Sequence, residues 1–253
     1  MVETIGTGTV LGVFLGLMLL ALEIGRRIGR RRLLADPAGA HSGLGALEGA
    51  VFGLMGLLMA FTFSGSAARF DARRDLLLRE ANAIGTAWLR LDLLPPAAHD
   101  ELRADLRAYV DLRLAATRAR ATQADVTLTA LQQHLWSRAV AATLDARDAR
   151  VGQLLLPAIN DMFDIASARY LASQTHPPGV IYAMLLALAL ACALLAGHGM
   201  AGSQRPSWLH IFVFTGSLFM AIYVITDIEF PRRGFIRVDR YDQLLVDLRE
   251  NMR

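Results

Sequence analysis

The chain contains no lysine: all 26 of its basic residues are arginine. That removes chemistry resting on a lysine amine, including Schiff bases and the lysine of a phosphate-binding loop. Cysteine is nearly absent as well. The single one, Cys192, lies in an apolar stretch, so neither a disulfide framework nor a cysteine-based zinc site can be built. The six histidines (His41, His99, His134, His176, His198 and His210) are scattered, and none has a suitable ligand three or four residues on. No metal site and no cofactor is expected. A Gly-rich phosphate loop, a nucleophile elbow and a Ser/His/Asp arrangement are all missing, so nothing argues for an enzyme. Charge is scarce too, at 19% of residues against about 25% in an ordinary soluble domain. The arginines alternate with 23 carboxylates and leave a net charge of +3. A nucleic-acid partner, which needs a gathered basic face, is not expected.

What the sequence has in quantity is apolar residues, 54% of the total, with a mean hydropathy of +0.38. They fall into four blocks. Ile5 to Leu22 is 18 residues without a charge, and Gly49 to Phe63 is 15, extending to 20 if Leu44 and Glu48 are included. Pro178 to Gly197 gives 20, and Trp208 to Phe230 gives 23, with Asp227 and Glu229 near its end. A helix needs roughly 20 residues to cross the hydrocarbon core, so four spans are expected in a multi-pass membrane protein. The first block is read as an uncleaved span and not as a leader, because its arginines (Arg26, Arg27, Arg30, Arg31, Arg32) follow the apolar run instead of preceding it.

Between spans two and three the period is helical. Phe70, Leu77, Ala81, Ile84, Trp88 and Leu91 mark one face of a helix continuing out of span two, and Pro95-Pro96 ends it. A second helix is expected from about Ala98 to Arg120, with Leu102, Leu106, Tyr109, Val110 and Leu114 on one face. A third starts near Asp125, a plausible N-cap, and carries Leu128, Leu131, Leu135 and Leu144. Pro157 is expected to kink or divide the helix that follows, and Pro177-Pro178 to end it. Pairs such as Asp71/Asp75 with Arg74/Arg79 read as the solvated face of amphipathic helices. After Pro231-Arg232-Arg233-Gly234, the residues Tyr241, Leu244, Leu245, Leu248 and Met252 form a short amphipathic helix suited either to docking or to a membrane surface. The expected fold is therefore all-α. It comprises the first two spans (1–63), a helical domain (64–177), the last two spans (178–230) and an amphipathic tail (231–253).

Four spans place both termini and the central domain on one side. Arginines near span ends decide which side that is. Arg69, Arg73, Arg74, Arg79, Arg169, Arg232, Arg233, Arg237, Arg240 and Arg249 stand on it, against the five of the first loop and Arg205. That balance favours a cytoplasmic central domain. Glu48 at the edge of span two reads as an interface anchor, with proton coupling as the rival. Asp227 and Glu229 are expected to snorkel or to pair with Arg232 and Arg233.

Span two carries the candidate site. Gly45, Gly49, Gly53, Leu57 and Phe61 recur every four residues on one stripe. Small residues on a stripe serve close helix packing in lipid. The same stripe also suits a pore wall, wide at the glycines and narrowed where Leu57 and Phe61 could gate by dewetting. The two readings merge if identical helices ring an axis.

The run 61–73, Phe-Thr-Phe-Ser-Gly-Ser-Ala-Ala-Arg-Phe-Asp-Ala-Arg, resembles the bestrophin signature, in which an apolar span runs into an Arg-aromatic pair. The segments Glu-Ala-Asn-Ala-Ile-Gly-Thr-Ala-Trp (80–88) and Thr-Asp-Ile-Glu-Phe-Pro-Arg-Arg-Gly (226–234) are similar to the bacterial bestrophin-like domain family, over residues 44 to 250. The resemblance implies a homo-oligomer in a bacterial inner membrane, pentameric if bestrophin-like. It further implies that the second spans line a pathway for small anions, with Gly53, Leu57 and Phe61 in the neck. Arg69, Arg73 and Arg74 would then form an ion-attracting collar, with Asp71 (or Glu48) able to set the opposite sign. Phe70 departs from the family's tryptophan, and the acidic run that holds calcium in animal bestrophins is reduced to Asp227, Glu229 and Asp239. Two other functions stand beside the anion channel: a non-conducting membrane-anchored scaffold or sensor, and a cation channel on the same scaffold.

Overall fold

A computed structural model describes residues 2–35, 44–119, 123–145, 148–203, 207–230 and 239–252. Eight α-helices run through them, with no strand among the described residues: α1 (Val2–Ala35), α2 (Leu44–Arg90), α3 (Pro96–Ala119), α4 (Gln123–Leu144), α5 (Arg150–Gln174), α6 (Gly179–Gly199), α7 (Trp208–Glu229) and α8 (Asp239–Asn251). Four helices are long and apolar enough to cross a membrane. The chain divides into two compact units, one of Met1–Phe70 with His176–Ile236 and the other of Asp71–Thr175 with Arg237–Arg253.

In the first unit α1 packs along α6 and touches α7. Phe14, Met18 and Leu22 of α1 meet Leu185, Ala189, Cys192 and Ala193 of α6, with Met55 of α2 and Ile211 and Ile222 of α7 completing the core. The α1–α6 contact is backbone against backbone. A Cβ on Gly25 would stand 1.9 Å from the Leu194 carbonyl oxygen, and one on Gly197 1.9 Å from that of Leu22. Lipid offers apolar side chains no reason to leave it, so close approach at small residues is what holds such helices together.

The second unit has a core of Ile84, Ala87, Trp88, Leu91, Leu102, Leu106, Tyr109, Val110, Leu135, Leu155 and Met162. Leu94 is extended (φ −85, ψ 158) ahead of Pro95, and α3 opens at Pro96, where a missing N–H costs nothing. The side chain of the expected N-cap Asp125 lies outside the described residues. Pro157 does not divide α5, which runs unbroken through it. Leu155, Ala158, Ile159 and Met162 are buried on both sides of the proline, and the Leu154 carbonyl beside it accepts a hydrogen bond from Arg90 Nη1 at 2.5 Å. Packing on both sides of the proline thus carries the helix past the hydrogen bond that its missing N–H denies the Gln153 carbonyl.

The alternatives open for the tail helix resolve to docking. Leu245 and Met252 of α8 are buried against the second unit's core. Arg249 grips Asp111 of α3 through Nε at 2.8 Å and Nη2 at 2.9 Å, and Arg107 Nε donates to the Met252 carbonyl at 2.8 Å. The side chain of Tyr241 lies outside the described residues.

Candidate functional site

The helix α2 is 47 residues long, roughly 70 Å at 1.5 Å per residue, more than twice the hydrocarbon thickness. Its apolar part has two contrasting faces. Met55, Thr62 and Ser66 are buried in the chain, while Leu57 and Phe61 are 53% and 68% exposed. Gly49 and Gly53 share that outer face, and a Cβ added at Gly45, Gly49, Gly53 or Gly56 would meet nothing within 4 Å. The stripe singled out by its four-residue spacing is therefore uncovered by its own chain. Its glycines differ physically from Gly25 and Gly197, whose smallness is consumed by an intrachain contact.

Glu48, at the amino-terminal end of this helix, is mostly buried, with the His198 Nδ1 of α6 at 3.8 Å. That distance is too long for a hydrogen bond.

Where the apolar part ends, Arg69 turns to a carboxylate. Its Nε and Nη2 both donate to Glu229 Oε2, at 2.9 and 2.7 Å, and Nη2 also reaches Ser66 Oγ at 3.1 Å. Glu229 is fully buried. Its other oxygen stands 3.0 Å from His176 Nδ1, and the imidazole lies against the Phe230 ring at 4.7 Å. Glu229 was expected to pair with Arg232 and Arg233, which lie outside the described residues. Its described partners are Arg69 and His176, and with no solvent exposure it does not snorkel. Asp227 is likewise buried. A charged residue inside a bilayer segment is costly alone and persists when paired.

The other expected collar residues belong to the second unit. Arg73 Nε donates to the Ala172 carbonyl at 3.1 Å and its Nη2 to the Thr175 carbonyl at 2.9 Å, placing a cation at the carboxyl end of α5, where the helix dipole favours one. Arg74 Nη1 donates to Asp71 at 3.0 Å, and Arg79 pairs with Asp75 at 2.7 Å. Asp71 remains largely exposed.

A third buried carboxylate escaped the sequence reading. Glu80 of α2 has no solvent exposure and receives Arg113 of α3 at 2.6 Å and Arg169 of α5 at 2.5 Å. Burial pushes the nearby Tyr109 phenol up to about 12, so it stays neutral beside them. The signal was present in the periodicity. Glu80 stands three after Leu77 and four before Ile84, Arg113 three after Val110, and Arg169 three after Ala166, each a charge on an apolar stripe. Among the described residues no group of three His, Cys, Asp or Glu side chains could hold a metal ion.

Fold and site together define an all-helical membrane protein with four span-length helices, one of which presents an uncovered glycine-rich face. The chain belongs to the Bestrophin-like domain family, whose family model matches residues 8–242. No curated protein and no solved structure matches it. The family points to an ion-channel kind of function and to self-association.

Proposed function

We propose that the protein is a homo-oligomeric channel, most simply a pentamer, that passes small anions such as chloride passively through a pore lined by α2. The observation that carries this reading is the α2 stripe. Gly49, Gly53, Leu57 and Phe61 face away from their own chain, in a protein whose family points to oligomeric ion channels. Copies arranged about an axis would put the glycines at the wide part of the pathway and Leu57 and Phe61 at an apolar constriction. Arg69, Arg73 and Arg74 would ring one end of it and raise the local anion concentration. One observation favours a second reading. Glu229 and Asp71 offset two of those arginines, which weakens the anion-attracting field and suits a cation pathway, with Glu48 or Asp71 setting the sign, or a scaffold that conducts nothing.

Purified protein in a planar bilayer under a potassium chloride gradient separates these readings. Anion conduction gives a reversal potential near the chloride equilibrium value, with Phe61→Ala raising the conductance. Reversal near the potassium value selects the cation reading. Silence from protein shown to be folded and oligomeric selects the scaffold.

A further inference from the structure

The last turns of α1 differ in charge from the rest of the molecule. Beyond Leu22 the helix continues to Ala35 with Arg26, Arg27, Arg30, Arg31 and Arg32 against a single carboxylate, Glu23. Elsewhere the arginines tend to be matched by carboxylates: Arg69 by Glu229, Arg74 by Asp71, Arg103 by Asp92, Arg249 by Asp111, and Arg113 with Arg169 by Glu80. At the end of α1 that matching fails. Arg27 holds Glu23 at 2.8 Å while 73% exposed, and Arg30 Nη2 donates to the Ser203 carbonyl at 3.4 Å. Arg31 and Arg32 are exposed and have no ion pair or hydrogen bond among the described residues.

Interleaved with these arginines are exposed aliphatic side chains: Ile24, Ile28 and Leu34, the last 85% exposed. A surface both cationic and apolar, directly after a span, matches the layer where acyl chains give way to headgroups. The length fits as well. At 34 residues, α1 is roughly 50 Å long and outruns a hydrocarbon core of about 30 Å, so its arginine-bearing turns emerge at headgroup depth.

We propose that the carboxyl-terminal turns of α1 form a binding surface for anionic lipid headgroups, with the Arg31 and Arg32 guanidiniums on the phosphate and Ile24, Ile28 and Leu34 along the acyl chains. Guanidinium matches a phosphate through parallel N–H donors. Each basic residue beside an anionic membrane surface strengthens association roughly fivefold. A zwitterionic lipid carries its own cation beside the phosphate and competes poorly. The inference holds whether or not the protein conducts.

The test titrates full-length protein in neutral detergent with phosphatidylglycerol, phosphatidylcholine or inorganic phosphate and reads the thermal unfolding midpoint. Phosphatidylglycerol is expected to raise it by several degrees, less so at high salt, while the other two leave it in place. The double variant Arg31→Gln/Arg32→Gln, altered only at exposed positions, should keep the lipid-free midpoint. Its apparent affinity for phosphatidylglycerol should fall by roughly an order of magnitude, and Arg31→Lys/Arg32→Lys should recover part of it. Equal shifts from phosphatidylcholine, or an unweakened response in the double variant, would overturn the assignment. A full shift from inorganic phosphate alone would overturn it too, because the ligand would then be a free anion. Should the double variant fold poorly, Arg31→Gln and Arg32→Gln made singly carry the same comparison.

Discussion

Glu80 shows what one side chain can decide. It carries a negative charge with no solvent exposure, between two guanidiniums that are themselves only 12% and 13% exposed. Removing one partner of such a cluster leaves uncompensated charge in a poor dielectric, which typically costs about 3–5 kcal/mol. Glu80→Ala is therefore expected to lower stability by about that amount, read by denaturant or thermal unfolding followed by circular dichroism. Asp75→Ala, which breaks the exposed pair with Arg79, should cost no more than about 1 kcal/mol. Similar losses for both would mean that the Glu80 cluster is not held as a buried unit. Residues of this kind were half legible in the sequence. A charge on an apolar stripe announces a buried ion, but its partners stand 33 and 89 positions away. Glu229 is the harder case, because its partner Arg69 is 160 positions distant.

At the scale of the helix, periodicity and proline placement reveal most of the eight elements. They do not reveal which faces meet. Gly25, Gly53 and Gly197 look alike as letters in apolar runs. Only the packed structure separates Gly25 and Gly197, where an added Cβ would collide with a backbone carbonyl, from Gly53, where it would meet nothing within 4 Å. Pro157 stayed inside a helix for a related reason: the burial that rescues it comes from neighbouring helices and not from its own sequence. This contrast predicts two different phenotypes. Gly197→Val must push α1 off α6, since the obstacle is backbone, and overpacking of this sort costs about 1–3 kcal/mol or more. A lowered unfolding midpoint is expected. Gly53→Val should leave that midpoint nearly unchanged and instead alter the oligomeric mass in detergent or the single-channel conductance. If Gly53→Val unfolds the chain while assembly and conductance of the folded fraction are normal, the stripe serves the monomer and the α2 pore assignment fails.

The largest scale is topology, where an internal contact of the second unit constrains the membrane crossings. Helix α8 follows α7, α3 follows α2, and the two are clamped together by Arg249 on Asp111 and by the burial of Leu245 and Met252. They can meet only on the same side of the membrane. An even number of crossings must then lie between them, and α6 and α7, with 21 and 22 residues, supply two. Exposed apolar side chains in these helices carry no similar message, because lipid is as apolar as a protein core. The arginine count near the span ends, with ten on the side of the tail, predicts that this side is the cytoplasmic one. A fluorescent protein fused at the carboxyl terminus should therefore fold and fluoresce, and alkaline phosphatase fused after Gly202, in the turn between α6 and α7, should be active outside. Reversal of both signals would invert the orientation but keep the hairpin, pointing to the five dense arginines of the first loop as the dominant charge. Both fusions reporting the same side would mean that α7 does not cross, and the α3–α8 clamp would then require that α6 does not cross either.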